Sequence, residues 1–336
     1  MKQVFSVVFL IFGTVVGSGF SSGKEIFVFF SRFGGWSYFF VVLAVGLFFV
    51  LFYFFLRAGE RMVVLMENNK LLNLVSLFVS LIFASSMFAG VGSLFEHFSP
   101  LASLVMKGVL VAMCLYVVCK GVSGLEKANA WIMPVAGVMF LVVLGFGCLS
   151  SGGVVPVASK FAGWWYCPLY VALNTSTSGL VFAKAGEKLT KKQAFCACLF
   201  SALLLAIFLL LGNFVLRNNP DCFASEMPFL AVAKANKFVF CLAFVLILLG
   251  CATTLLSLCF TVKNLLSKSI KSEFAGNVLS VFLPLILSGF GFAKIVAYLY
   301  PLCSVLGVFV LLFSIFSFYQ TYKVIHRKSK DAQDGC

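Results

Sequence analysis

Ten stretches of the chain are long and apolar enough to cross a bilayer, a task that takes about 20 mostly apolar residues. They cover roughly residues 4–30, 38–56, 72–95, 101–119, 131–149, 167–185, 194–216, 238–262, 274–290 and 293–319. In hydrocarbon a backbone must satisfy its own N–H and C=O groups, so apolar spans of this length fold as helices. Composition agrees: the 336 residues are 62% hydrophobic and 11% charged, against about 25% charged in a soluble domain. The chain reads as an all-α integral membrane protein. A single transmembrane domain is expected over 1–322, followed by a short basic tail at 323–336. The start, Met1-Lys2, leads into a segment too long for a signal-peptide core, so no cleavable leader is expected.

The first span contains a stretch that an ordinary span avoids. Residues 13–25 read GTVVGSGFSSGKE. Gly13, Gly17, Gly19 and Gly23 each weaken a helix by roughly 1 kcal/mol relative to alanine. Ser18, Ser21 and Ser22 offer the backbone competing hydrogen bonds. Together they predict a break at mid-membrane depth, tolerable only where protein buries it or it lines a cavity. The plainer alternative is close helix packing through Gly13-x-x-x-Gly17 and Gly19-x-x-x-Gly23. The sixth span carries a second polar run, Asn174-Thr-Ser-Thr-Ser-Gly179, and predicts a second break. Breaks in segments one and six of ten divide the chain into two five-helix halves, at about 1–150 and 160–320. An odd number of spans inverts the second half relative to the first. Paired interruptions in corresponding positions point to a transporter site at the repeat interface.

The net charge of +14 raises the question of a nucleic-acid partner, and its distribution answers it. With a cytoplasmic amino terminus, most of the 25 basic residues fall on one side: Lys2, Arg57, Arg61, Lys70, Lys120, Lys127, and the clusters at 184–192, 263–271 and 323–330. This is the positive-inside bias of a multi-pass plasma-membrane protein with both termini cytoplasmic. Its partners are the lipid bilayer and a small-molecule substrate, not nucleic acid. Oligomeric state is not legible. The 12 cysteines lie mostly inside apolar spans and form no CxxC pair, and the two histidines, His97 and His326, lie near loops. They read as small apolar residues rather than a zinc site. No cofactor is expected, and no convergent nucleophile and base suggests an enzyme.

The motif GTVVGSGFSSGKEIFVFF, followed by FGG, resembles the start of the YkvI family of bacterial membrane proteins. MFAGVGSLFEHFSP in segment three, YVALN in segment six and Tyr300-Pro-Leu in segment ten fit the same family in order. Lys24 stands where the pattern has a neutral glutamine. The family sits in the amino acid–polyamine–organocation superfamily, so the resemblance implies a LeuT-type five-plus-five inverted repeat. It also implies secondary transport by alternating access. Half-helix amino termini in such folds turn their dipoles toward an anionic group. The expected substrate-binding set is Gly17, Ser18, Gly19, Phe20 and Ser21, with Ser86 and Gly90 of segment three and Tyr170, Asn174, Thr175 and Ser176 of segment six. Tyr170 and Phe20 are expected to wall its apolar part. Sodium-coupled members imply a cation site from the carbonyls of Gly13, Val16 and Gly250 and the hydroxyls of Thr253 and Thr254. Proton coupling is the rival, with Glu25 as its titratable group. An amino acid is the first expected cargo, and a non-transporting membrane sensor or scaffold is the competing function.

Overall fold

The computed structural model describes residues 2–96, 98–150, 160–267 and 269–333. Its helices are α1 (Lys2–Val15), α2 (Ser18–Ser21), α3 (Lys24–Phe29), α4 (Ser37–Asn68), α5 (Lys70–Glu96), α6 (Pro100–Cys119), α7 (Gly121–Leu149), α8 (Tyr166–Gly186), α9 (Lys191–Asn218), α10 (Pro228–Ala233), α11 (Lys237–Leu266), α12 (Glu273–Leu287), α13 (Phe292–Lys294) and α14 (Tyr300–Gln333). The segment expected as a basic tail from 323 thus continues α14 as far as Gln333.

Helix starts follow local chemistry. Ser99 caps α6 by accepting from Ala102 N–H at 3.0 Å, with Pro100 just inside the helix. Thr190 and Gln193 form a reciprocal capping box on α9. Asn236 caps α11 and Ser272 caps α12. Each satisfies amide donors that a helix start leaves orphaned.

Eight helices are long and apolar enough to cross a membrane by length and composition. The first segment, in pieces, and α8, with its polar run, fall outside that criterion. They are nonetheless the centre of the molecule. Of α8, residues 170–183 are buried without interruption. Among the eight, α5 and α11 are the most enclosed, with 72% and 61% of their apolar windows buried; α6, α7, α12 and α14 show only 28–33%. The outer helices carry exposed side chains such as Trp131, Leu149 and Leu312. A broad apolar perimeter of this kind is a surface for lipid. Inside it, α4 lies along α8, α5 along α11, and α14 along α8. Phenylalanine fills the interior: Phe48, Phe52 and Phe55 of α4 are at most 1% exposed.

One expectation fails here. The sixth span is not broken: α8 runs as one helix from Tyr166 to Gly186. Its polar run bonds back along the helix instead of opening it. Asn174 Nδ2 donates to Tyr170 O at 3.0 Å, Thr175 Oγ1 to Val171 O at 2.6 Å, Ser176 Oγ to Leu173 O at 3.2 Å, and Thr177 Oγ1 to the Leu173 and Asn174 carbonyls at 3.0 Å. Each hydroxyl adds to a carbonyl of the preceding turn and displaces no amide, so the helix survives.

Candidate substrate and cation site

The first span is broken, and broken twice. α1 stops at Val15, and the Gly17 N–H turns back onto Val15 O at 3.0 Å rather than continuing the ladder. Gly17 is extended (φ −89°, ψ −165°) and precedes the single turn of α2. Gly23 then adopts φ +84°, a left-handed conformation that favours glycine, before α3 begins. Ser18 N–H reaches Met87 Sδ at 3.4 Å. The amides of Gly19 and Phe20 find no acceptor among the described residues. Main-chain donors are therefore free in the middle of the protein.

Gly19 is glycine for a steric reason. A Cβ there would collide with the carboxyl of Glu25, which rests on its Cα. The Glu25 side chain is 1% exposed, and both its oxygens lack a hydrogen-bond partner. The neighbouring Lys24 turns elsewhere and donates to Ser225 O at 3.0 Å. Glu25 also lines a cavity of about 520 Å³, together with Phe29, Arg32, Trp165, Tyr166, Phe292 and Tyr300. A second cavity of about 680 Å³ adjoins it through Glu226 and Phe292, and Glu96 is in its wall. A smaller groove of about 230 Å³ is lined by Lys2, Glu126 and Lys188.

Helices α5 and α8 and the start of α14 close around the break. Gly90 admits Ser18: a Cβ on Gly90 would lie 3.3 Å from Ser18 Cβ. Ser86 Oγ and Tyr300 Oη share a hydrogen bond of 2.7 Å. Tyr170 is fully buried against Phe29, Phe30 and Phe48, with ring centroids 5.1, 5.1 and 5.7 Å away, and its hydroxyl has no partner. The carbonyl oxygen of Asn174, one turn further along α8, is likewise unpartnered. Thr175 and Ser176 are spent on their own helix, and Ser176 packs against Gly307. Phe20 does not wall the cavity. Its ring lies edge-on to Phe140 of α7 at 5.8 Å.

Some of the expected cation ligands converge and two do not. Thr254 Oγ1 donates to Gly13 O at 3.1 Å and Thr14 O at 3.3 Å, spanning from α11 to the frayed end of α1. A Cβ on Gly250 would sit 3.1 Å from Val16 O, so α11 and the end of α1 touch there. Gly13, Val16 and Thr254 therefore lie together. Thr253 turns its hydroxyl back to Leu249 O and Gly250 O, and the Gly250 carbonyl, expected as a ligand, stays within the uninterrupted α11.

Three residues here were not among the expected ligands. Thr14 Oγ1 and Ser257 Oγ share a bond of 2.9 Å beside the cluster. Asn129 of α7 is fully buried, donates to Leu125 O at 3.0 Å, and leaves its carbonyl oxygen unpartnered against Gly13. Asn129 lay outside the fifth apolar segment as delimited from 131. The helix starts ten residues earlier, and a lone asparagine on it was the available signal.

No protein-family model matches the chain. The sequence is 26% identical over 332 residues to the uncharacterized membrane protein YkvI of Bacillus subtilis (strain 168), covering 88% of this chain and 90% of that protein. It is 22% identical to the uncharacterized protein YyaD of the same organism, covering 90% and 93%. Among solved structures, it superposes on a substrate-bound, outward-open Na+-coupled sialic acid symporter with a TM-score of 0.61 at 10% identity, over 93% of this chain and 76% of that one. MhsT in complex with L-phenylalanine gives 0.61 at 16% identity over 85% and 80%. Mhp1, a nucleobase-cation-symport-1 family transporter in a closed conformation, gives 0.51 at 15% identity over 92% and 74%. All three are transporters, and the broken first span described above lies within a shared architecture. The chain is a multi-pass membrane protein, similar to YkvI over most of its length, with the fold that these transporters share.

Proposed function

We propose that the chain is a secondary active transporter that moves a small organic solute, an amino acid first, by sodium-coupled alternating access. One observation carries the reading: a span broken at 16–17 and again at 22–23 leaves main-chain amides unpaired behind Glu25, whose own unpaired carboxyl lines a cavity of about 520 Å³. An unmade hydrogen bond in a buried place costs about 1–3 kcal/mol. Such a cost persists where a ligand relieves it. The free amides of Gly19 and Phe20 suit a carboxylate, with Ser18 and Gly90 packed beside them and Ser86 bonded to Tyr300 of the cavity wall.

In this reading the ten apolar segments form two inverted sets of five. The break replaces a pair of broken helices, since α8 contributes side chains rather than freed backbone. Both termini are cytoplasmic, as the basic clusters at 184–192 and 263–271 require under the positive-inside rule. The large cavity then faces outward, and transport proceeds as the bundle containing α1–α4, α8 and α9 rocks against the rest. Sodium is co-transported cargo. The carbonyls of Gly13 and Val16 and the Thr254 hydroxyl are the hard oxygen donors that suit it, and the unpartnered oxygen of Asn129 adds another beside them.

Uptake into proteoliposomes across an amino-acid panel, with and without an inward sodium gradient, tests this. Gradient-driven accumulation of at least one solute is the expected result. Absence of any gradient-dependent uptake selects the sensor reading. A second version, coupling to protons, is favoured by one observation, the unpartnered carboxyl of Glu25. It replaces sodium if uptake follows a pH gradient and Glu25→Gln abolishes it while Thr254→Ala does not.

A further inference from the structure

Two buried acceptor atoms without partners face the aromatic cavity of about 520 Å³: the carboxyl oxygens of Glu25. Glu25 and Phe29 are one turn apart on α3 and both line that cavity, as does Tyr300. The Phe29 ring packs in turn on that of Tyr170 at 5.1 Å, which closes the wall from behind.

Lys24 and Arg32 share the cavity wall with Glu25 without an ion pair to it, and Arg32 Nε has no hydrogen-bond partner. Lys24 donates to Ser225 O and lies over the Phe27 ring at 5.8 Å. The Arg32 guanidinium lies over Tyr166 at 4.3 Å and Phe33 at 4.9 Å. Glu226 adds a second carboxyl to the cavity wall, not a counter-charge. Among the described residues Glu25 has no ion pair.

A proton would relieve one oxygen of Glu25 and leave the other unmet. An ammonium group has three donors and no acceptor, so it can serve both orphan oxygens of Glu25 at once. The rest of the wall is aromatic and apolar: Phe29, Trp165, Tyr166, Phe292 and Tyr300. Ring faces attract an organic ammonium, whereas a hard metal cation prefers a fuller set of oxygens.

We propose that Glu25 determines specificity: its carboxylate receives the ammonium group of an amine-bearing solute. This rests on the transport reading given above and narrows its cargo. Amino acids and simple amines share the required chemistry, while acids lacking an amine bring no donor to Glu25.

The test uses matched triples of an amino acid, its decarboxylated amine and its deaminated acid, built on glycine, leucine, phenylalanine and lysine. Binding to the purified full chain is read as a shift in Tm, for the wild type, Glu25→Gln and Glu25→Asp. The unliganded Tm of each variant reports whether it is folded. In at least one triple the amine-bearing members stabilise the wild type and the acid does not. Glu25→Gln weakens that binding by about 30-fold or more, as losing one partner of a buried charge pair does, and Glu25→Asp restores part of it. Binding of the amino acid and the amine alike shows that the ammonium suffices; binding of the amino acid alone shows that its carboxylate is read as well, and both support the assignment. Equal binding of the acid, no ammonium-dependent binding in any triple, or unchanged amine affinity in a folded Glu25→Gln overturns it. Loss of pH-driven uptake in Glu25→Gln with amine affinity intact also overturns it, and makes the occupant a proton. Binding without gradient-driven uptake sinks the transport reading and leaves Glu25 assigned; uptake that Glu25→Gln does not alter does the reverse.

Discussion

At the scale of single residues, the site is defined by what is left unsatisfied. Most buried hydroxyls of the centre have a carbonyl within reach, as Ser85 and Ser86 do at 2.7 Å on their own helix. Glu25, Tyr170, Asn129 and Asn174 instead keep oxygens with no donor. Buried polar atoms are almost always paired, so a cluster of exceptions marks a place prepared for something else. Thr254 differs because its hydroxyl spans two elements and touches both freed carbonyls of α1. Thr254→Ala removes that hydroxyl at little cost in volume. It is expected to raise the sodium concentration for half-maximal uptake by about tenfold, the equivalent of one lost hydrogen bond to a charged group. The neighbouring Thr253→Ala, whose hydroxyl serves only its own helix, is expected to leave that concentration within about twofold. Sodium titration of uptake in the two variants checks the contrast.

At the scale of elements, two polar runs that look alike in sequence behave oppositely. Residues 17–23 break their span; residues 174–179 do not. The difference is glycine content and spacing. Four glycines among residues 13–23 remove the helix preference and supply one left-handed residue, whereas the second run has a single glycine and its side chains find carbonyls in the preceding turn. Gly23→Ala forces a side chain into φ +84° with the Phe229 ring 3.0 Å away. It is expected to destabilise the protein by about 1–2 kcal/mol from the backbone alone. Thr175→Val keeps the shape and loses only the bond to Val171 O, so its effect is expected to stay under about 1 kcal/mol. Thermal unfolding of the two purified variants measures both. A larger loss in Thr175→Val than in Gly23→Ala would contradict the account of the two runs.

At the scale of the whole molecule, burial separates an inner group from an outer one. α5, α8, α11 and the broken segment are enclosed, and α6, α7, α12 and α14 face outward with apolar side chains. Enclosure lets a broken backbone exist at membrane depth, because protein and cavity rather than lipid surround it. One opening lies on the α3 side, where Trp165 lines the 520 Å³ cavity and is 45% exposed. Closing that side by alternating access would cover it. In a variant with Trp36, Trp131 and Trp164 replaced by phenylalanine, Trp165 fluorescence is expected to be quenched by iodide in the resting protein. Quenching is expected to fall when sodium and a bound solute are present together. Unchanged quenching with a solute shown to bind would count against closure on this side.

The membrane class, the apolar segments and the break at 13–25 were legible in the sequence, because length, hydrophobicity and glycine content act locally and need no neighbours. The expected cation ligands came from the resemblance to sodium-coupled transporters, and among them Gly13, Val16 and Thr254 lie together in the fold. Long-range packing settled that α8 stays whole and that Glu25 turns inward onto Gly19. The same holds for Asn129, carried on a helix longer than its apolar stretch, whose oxygen reaches Gly13. Each of those outcomes depends on which partner a polar group finds across helices far apart in sequence, and a local pattern holds no record of that competition.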